Sequence, residues 1–421
     1  MFIPLLSLKA PTTTYMKILY INSLYSPLIE GGAEISLQLI VEGLKSKGYE
    51  VAVLSLMPGD GLKEELVEGV KVYRAGLKNY YWPYTKQRPG RLKRLSWHLK
   101  DRYNRAMRSY VKDVLQLEKP DVVSCHNLAG WSVAVWDEIH ESGTPIVQVL
   151  HDMYLACANS NMFKGDHPCD TQCLSCRLLR SHHPEKSRQV SAVVGISQSI
   201  LDRFTGLGYF EEAAKKVIHN TRSISVPATG KIRKEGDTLR IGYIGTLSRI
   251  KGVEWLIEQF QSLDIDATLS IGGKGQTDYE AYLRSLADNA AVSFLGQVNS
   301  NDFYAMIDVL VVPSLWQEPL GMVAIEALAN NIPVIAHKTG GLQESVIDGV
   351  NGLYCYASDP DSLGKAIVRL FEDVNLYNRL SAAARDSVAA ILSKERMIGE
   401  YRAVIDLFTE KPSTFIQTHG G

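Results

Sequence analysis

The stretch Asp308-Val309-Leu310-Val311-Val312-Pro313-Ser314-Leu315-Trp316-Gln317-Glu318-Pro319-Leu320-Gly321-Met322-Val323-Ala324-Ile325-Glu326-Ala327-Leu328-Ala329 decides the architecture. Val309–Val312 reads as an apolar strand that ends at Pro313-Ser314. Gly321 then opens an apolar helix, so strand, loop and helix form one βα unit of a parallel sheet. The loop places Glu318 at the strand's C-terminal edge. The free amides of Gly321, Met322 and Val323, together with the helix dipole, suit a diphosphate. Glu326 lies about two turns into the helix, where it can reach ribose hydroxyls. Taken alone, two glutamates at this spacing are more often surface carboxylates on an ordinary βα unit.

The same alternation runs outward in both directions. Before it come strands at Lys17–Asn22, Glu50–Leu56, Asp121–Cys125, Pro145–Leu150 and Ala192–Ile196, with helical patterns at Ala33–Gly48, Trp131–Glu141 and Gln198–Phe204. Residues 221–238 lack periodicity and read as a linker. The pattern restarts at Leu239–Ile244 and continues through Thr268–Ile271, Val292–Phe294, Pro333–Ala336 and Gly352–Cys355. A chain of 421 residues exceeds one hydrophobic core. The expectation is α/β: two Rossmann-like, doubly wound parallel-sheet domains, 1–220 and 239–421, facing a central cleft. The helical stretch 361–409 packs on a domain surface, and its last helices can return to the first domain. Residues 1–15 read as an extension and 411–421 as a frayed tail.

Composition excludes other classes. With 45% hydrophobic and 22% charged residues and a formal net charge of −1, nothing draws the whole chain to nucleic acid. The sequence has no run of 18 or more apolar residues that could span a membrane. The opening Met1-Phe2-Ile3-Pro4 lacks the basic start of a secretory signal, so the expected compartment is the cytoplasm. Segment 86–112 is locally basic: Lys86, Arg88, Arg91, Lys93, Arg94, Lys100, Arg102, Arg105, Arg108 and Lys112 face the single acid Asp101. It is either a solvated basic helix or a peripheral contact with an anionic membrane or phosphorylated acceptor.

Glu318 and Glu326, separated by seven residues in a Glu-Pro-x-Gly context, resemble the glutamate pair of glycosyltransferase family 4, the group 1 retaining transferases of the GT-B fold. The resemblance continues in order and spacing through Asn331–Ala336, Gly340-Gly341-Leu342-Gln343-Glu344 and Asp348–Leu353. It implies transfer of a sugar from a nucleotide diphosphate, UDP or GDP favoured, to a glycan or lipid-linked acceptor. It implies that no cofactor or metal serves catalysis, because an Arg and a Lys stabilise the leaving diphosphate. Lys251, in Gly245-Thr246-Leu247-Ser248-Arg249-Ile250-Lys251-Gly252, matches the lysine. Thr246 stands where the arginine is usual, and Arg249 is the expected replacement. Glu318 would position the donor sugar, and Glu326 the ribose. The resemblance also places Gly32 of Gly31-Gly32, Ser197 and Asn220 near the donor and makes His151 a hydrogen-bonding partner of the transferred sugar. Asp152 and His126 are candidates on the acceptor side.

Cys157, Cys169, Cys173 and Cys176 form a cluster that fits either a structural Zn²⁺ or reduced thiols ordering a long loop. A dehydrogenase is set aside, since Gly31-Gly32 lacks the Gly-x-Gly-x-x-Gly spacing. A phosphorylase or epimerase of the same fold is a closer enzymatic rival. The non-enzymatic alternative is a degenerate GT-B scaffold that binds nucleotide or a partner without transferring sugar, favoured by Thr246 alone.

Overall fold

A computed structural model describes residues 16–85, 89–222, 224, 231–288 and 290–408. The expected extension at 1–15, the tail at 411–421, Lys86, Arg88 and linker residues 223 and 225–230 lie outside the described residues.

Val309–Val312 is buried along its whole length, as an aliphatic strand central to a parallel sheet must be. Its neighbours are Leu239–Ile244 and Val334–His337. Across this six-stranded sheet the strands run Val292–Gly296, Ala267–Gly272, Leu239–Ile244, Val309–Val312, Val334–His337 and Gly352–Cys355. In chain order that is third, second, first, fourth, fifth, sixth, so the winding reverses between Leu239–Ile244 and Val309–Val312. Such a reversal opens a crevice at the strands' C-terminal ends.

The first sheet has eight strands, in the order Ala214–Val217, Ala192–Gly195, Ile146–Leu150, Val122–Cys125, Lys17–Ile21, Glu50–Met57, Val70–Gly76 and Leu62–Val67. Its winding reverses between Lys17–Ile21 and Val122–Cys125. Every pair is parallel except the edge hairpin of Leu62–Val67 with Val70–Gly76. That hairpin is absent from the sequence reading because Lys63, Glu64 and Glu65 mask its pattern. The usable signal is Glu68-Gly69, a two-residue turn with φ of 48° and 73°, the positive-φ geometry that matches strand twist. Edge strand Ala214–Val217 is also new, its Ala214, Lys215 and Lys216 exposed.

The helical stretch expected at 361–409 is four helices, not one. Asp361–Glu372 and Val374–Ser387 bury Leu363, Ile367, Leu370, Tyr377 and Leu380 against the second sheet. After the short helix Ala389–Leu392, Lys394–Asp406 crosses back and buries Met397, Ile398, Tyr401, Val404 and Ile405 in the core of the first domain. Tyr49 Oη donates to Asp406 at 2.6 Å beside it. Ile398→Ala should therefore destabilise the first domain by about 2–5 kcal/mol, the usual cost of a buried Ile-sized cavity. Urea unfolding followed by tryptophan fluorescence checks this; an unchanged midpoint would show that the helix does not hold that domain.

Candidate active site between the two sheets

Both strands flanking the reversal of the second sheet feed the site. Leu239–Ile244 leads to the short helical turn Arg249–Lys251, and Val309–Val312 leads to the loop carrying Glu318. The loops are stitched together: the amides of Leu315 and Trp316 donate to the Ile250 carbonyl at 2.8 and 3.3 Å. Gly252, at φ 69°, lies so close to the Pro313 carbonyl that a Cβ would come within 2.0 Å of it. Gly340 presses equally on the Glu318 backbone, where a Cβ would meet the carbonyl oxygen at 2.4 Å. The Gly341 amide donates to that same Glu318 oxygen at 2.7 Å. These contacts give the Gly340-Gly341 pair a physical purpose, since it forms the floor under Glu318.

Lys251 Nζ lies 2.5 Å from Glu318 Oε1, and Ser314 Oγ donates to the same oxygen at 2.6 Å. The ammonium also sits 5.0 Å from the Trp316 ring centroid, a cation–π distance. Burial pushes the Glu318 carboxyl upward, but the Lys251 charge and the bonds from Lys251 and Ser314 outweigh it and hold the group below the usual carboxylate range. Glu318 is a buried, ionised carboxylate with a fixed partner.

The first sheet supplies the opposite wall. Gly31 and Gly32 open the helix Gly32–Ser46, and the Gly31 amide donates to Glu34 Oε2 at 2.9 Å. His151 and Asp152 follow strand Ile146–Leu150. One cavity is lined by Gly32, His151, Arg222, Glu318, Gly321 and Met322, with Asn220 and Asp152 also on its wall. Burial, reinforced by the Arg222 charge, pulls His151 down to about 3, so its imidazole is neutral and can both donate and accept. Burial raises Asp152 to about 6, and its carboxylate accepts from the Tyr154 amide at 2.7 Å. Asn220 Oδ1 is buried and has no hydrogen-bond partner among the described residues.

Several expected residues sit elsewhere. Arg249 faces outward, its side chain 62% exposed, 3.7 Å from Glu254 and stacked near Tyr279 and Tyr282; the glutamate and the two rings draw it away from the crevice. Ser197 caps the helix Gln198–Gly206 by accepting from the Ile200 amide at 3.1 Å, which spends its oxygen on structure. His126 lies behind His151, Nδ1 to Nε2 at 2.9 Å, and fixes that ring without lining the cavity. The cavity wall reaches Met322 but does not include Val323, whose carbonyl accepts from Tyr304 Oη. Glu326 is half-buried, accepts from Tyr304 Oη at 3.1 Å, and faces Arg222 at 3.9 Å.

Arg222 is the residue the sequence reading missed. It falls in the stretch read as linker, and no local motif marks it. The only usable signal is its place two residues after Asn220.

The four cysteines line a second cavity beneath Arg91, Arg94 and His98. Cys157 and Cys176 sulfurs are 3.7 Å apart, well beyond a disulfide bond. Among the described residues no group of three or more His, Cys, Asp or Glu side chains is arranged to hold a metal ion. No described helix is long and apolar enough to cross a membrane.

Comparison with known proteins agrees with this geometry. The pattern of Glycosyltransferase Family 4 matches residues 30–223, and that of Glycosyl transferases group 1 matches residues 228–387. A Klebsiella pneumoniae protein of the cps region is 30% identical over 331 residues, covering 78% of this chain and 87% of its own. A glycosyltransferase of Methanocaldococcus jannaschii is 28% identical over 379 residues, 85% of this chain and 90% of that one. Among solved structures, sucrose-phosphate synthase from Thermosynechococcus elongatus superposes with a TM-score of 0.71 at 19% identity, covering 93% of this chain and 98% of that chain. Anabaena HepE, in complex with UDP and glucose, gives 0.68 at 20% identity, covering 93% and 100%. With both halves of the chain matched and the GT-B architecture in place, this protein belongs to the group 1 glycosyltransferases of family 4.

Proposed function

We propose that the protein transfers a sugar, with retention of anomeric configuration and without a catalytic metal, from a nucleoside diphosphate sugar to a lipid-linked acceptor at an anionic membrane surface. The observation that carries the donor reading is Glu318, paired with half-buried Lys251 at 2.5 Å, in one cavity with neutral His151 and the helix start at Gly321. Departure of a nucleoside diphosphate builds negative charge on the leaving oxygen. Lys251 and the amides around Gly321 and Met322 are preorganised donors for that charge. Glu326 would take the ribose and Glu318 the sugar hydroxyls. Because Lys251 and Ser314 already engage the Glu318 carboxylate, it anchors the sugar and supports the oxocarbenium-like state; departure and attack then share one face. His151 would bond a sugar hydroxyl, and closure of the two domains would exclude water. The UDP and glucose held by the Anabaena neighbour make UDP the first base to test.

Two adjacent helices support the acceptor reading. Arg91–Asp101 exposes Leu92, Leu95 and Leu99, and Leu174–Leu179 exposes Leu174 and Leu178, the first of these leucines at 82%. Arg91, Lys93, Arg94, Lys100 and Arg177 lie on the same two helices, while Asp101 is buried. Leucines interleaved with cations on an exposed face suit the interface of an anionic bilayer. Leu92→Ser with Leu95→Ser should reduce co-sedimentation with phosphatidylglycerol vesicles several-fold; equal sedimentation would remove this face from the proposal.

Calorimetric titration with UDP, GDP, ADP and NAD tests the donor reading, with binding of one nucleoside diphosphate as the expected result and NAD alone as the contrary one. Lys251→Ala should lower turnover at least tenfold, about 1.4 kcal/mol in barrier; an unchanged rate removes its role. His151 adds a pH signature. Below its ordinary pKa of about 6.5 the unfolded chain takes up a proton that the folded chain, with His151 at about 3, refuses. Its contribution is therefore intact above that pH and is lost as pH falls, by at most about 1.4 kcal/mol per pH unit. His151→Gln should flatten the fall in stability between about pH 6 and pH 4, measured by denaturant titration; an unaltered slope would show that His151 is protonated in the fold.

A further inference from the structure

Arg222 is a charged side chain with too little to satisfy it. Its side chain is 11% exposed. Nη1 donates to Ser36 Oγ at 2.9 Å and to the Thr221 carbonyl at 3.0 Å, and Nη2 donates to the Gly32 carbonyl at 3.0 Å. Those acceptors are neutral. The nearest carboxylate, Glu326, is 3.9 Å from Nε, beyond hydrogen-bond reach. Taking a guanidinium out of water without a bonded anion is costly. The side chain nonetheless projects into the cavity that Gly32, Glu318, Gly321 and Met322 line.

The donor's own connectivity says which anion belongs there. A diphosphate joins ribose to sugar, so it must span the ground between the ribose site and the sugar site. In the donor reading these are Glu326 and Glu318. Lys251 stands at the sugar end, bonded to Glu318, and Arg222 stands at the ribose end, beside Glu326. The helix start at Gly321–Met322 lies in the same cavity wall. Two cations bracketing a helix N-terminus are the electrostatic requirement for a departing diphosphate. The loop after Leu239–Ile244 does not provide the second one, because Thr246 is uncharged and Arg249 is exposed and held by Glu254.

We infer that Arg222, reaching in from the segment that joins the two domains, supplies the second cation to the leaving diphosphate and replaces the arginine absent at Thr246. This rests on the donor reading above. It also gives the joining segment a chemical part: one guanidinium touches the start of helix Gly32–Ser46 and the phosphates at once, so the charge is placed by the approach of the two domains.

The test compares the nucleoside diphosphate that the wild-type protein binds with its uncharged nucleoside, by calorimetry on wild type, Arg222→Gln, Arg222→Lys and Arg249→Gln, each checked for an unchanged melting transition. The expected result is at least a tenfold loss of diphosphate affinity in R222Q, a smaller loss in R222K, and nucleoside affinity and R249Q both within about twofold of wild type. A purely structural role for Arg222 would weaken nucleoside and diphosphate together, and that outcome overturns the inference. So does R222Q binding diphosphate as wild type does, or R249Q carrying the loss. Should R222Q fail to fold, R222K decides: a loss of diphosphate affinity with nucleoside affinity kept supports the role, whereas wild-type affinity for both, or a parallel loss for both, overturns it. Failure of the wild type to bind any nucleoside diphosphate sinks the donor reading itself, and this assignment with it.

Discussion

Everything in the crevice is arranged around the contact between Lys251 and Glu318, two opposite charges taken largely out of water. Such a pair is tolerable only where geometry is tight and the remaining lone pairs are satisfied. That requirement explains the surrounding structure. Ser314 bonds the carboxylate, Trp316 lies beside the ammonium, and the Gly341 amide holds the Glu318 backbone. Gly252 and Gly340 lack a side chain because the two loops must approach within backbone contact. The winding reversal of the second sheet is what brings the loops together, since only there do two neighbouring strands send their chains to opposite sides.

The two domains are coupled by more than the connecting segment. Glu344, in the loop that supports Glu318, accepts from the amides of Gln198 and Ser199 at 3.0 and 2.9 Å and pairs with His219 at 2.8 Å. A carboxylate of the second domain thus caps a helix of the first, where the helix dipole favours negative charge. Burial raises the Glu344 carboxyl, but the bonds from His219, Ser199 and Gln198 outweigh it and keep the group ionised. The last helix, Lys394–Asp406, adds an apolar clamp on the far side. Together these contacts fix how the wall carrying His151 meets the wall carrying Glu318.

The two walls differ in character. On the second-domain side a carboxylate is held below its ordinary range by a cation. On the first-domain side burial strips the charge from His151 and raises Asp152. In the proposed donor placement the sugar lies between the ionised carboxylate of Glu318 and the neutral imidazole of His151.

The α/β architecture, the restart of the pattern at Leu239, and the placing of Glu318, Lys251, Gly32 and His151 at strand ends were legible in the sequence. Each follows from local rules: apolar runs of strand length, glycines at helix starts, and polar residues just past a strand's end. The hairpin Leu62–Gly76 was not, because its exposed edge carries charged residues that hide the alternation. Nor could local rules assign Arg249, Ser197 and Arg222. Arg249 and Ser197 have the right chemistry at plausible positions, but Glu254 with two tyrosines takes one and a helix terminus takes the other. Arg222 has no motif at all and enters the site only because it stands between Gly32 and Glu326. Sequence determines which residues stand at the edge of each sheet; only the tertiary structure decides which side chains turn inward, because that depends on partners distant along the chain competing for the same charge.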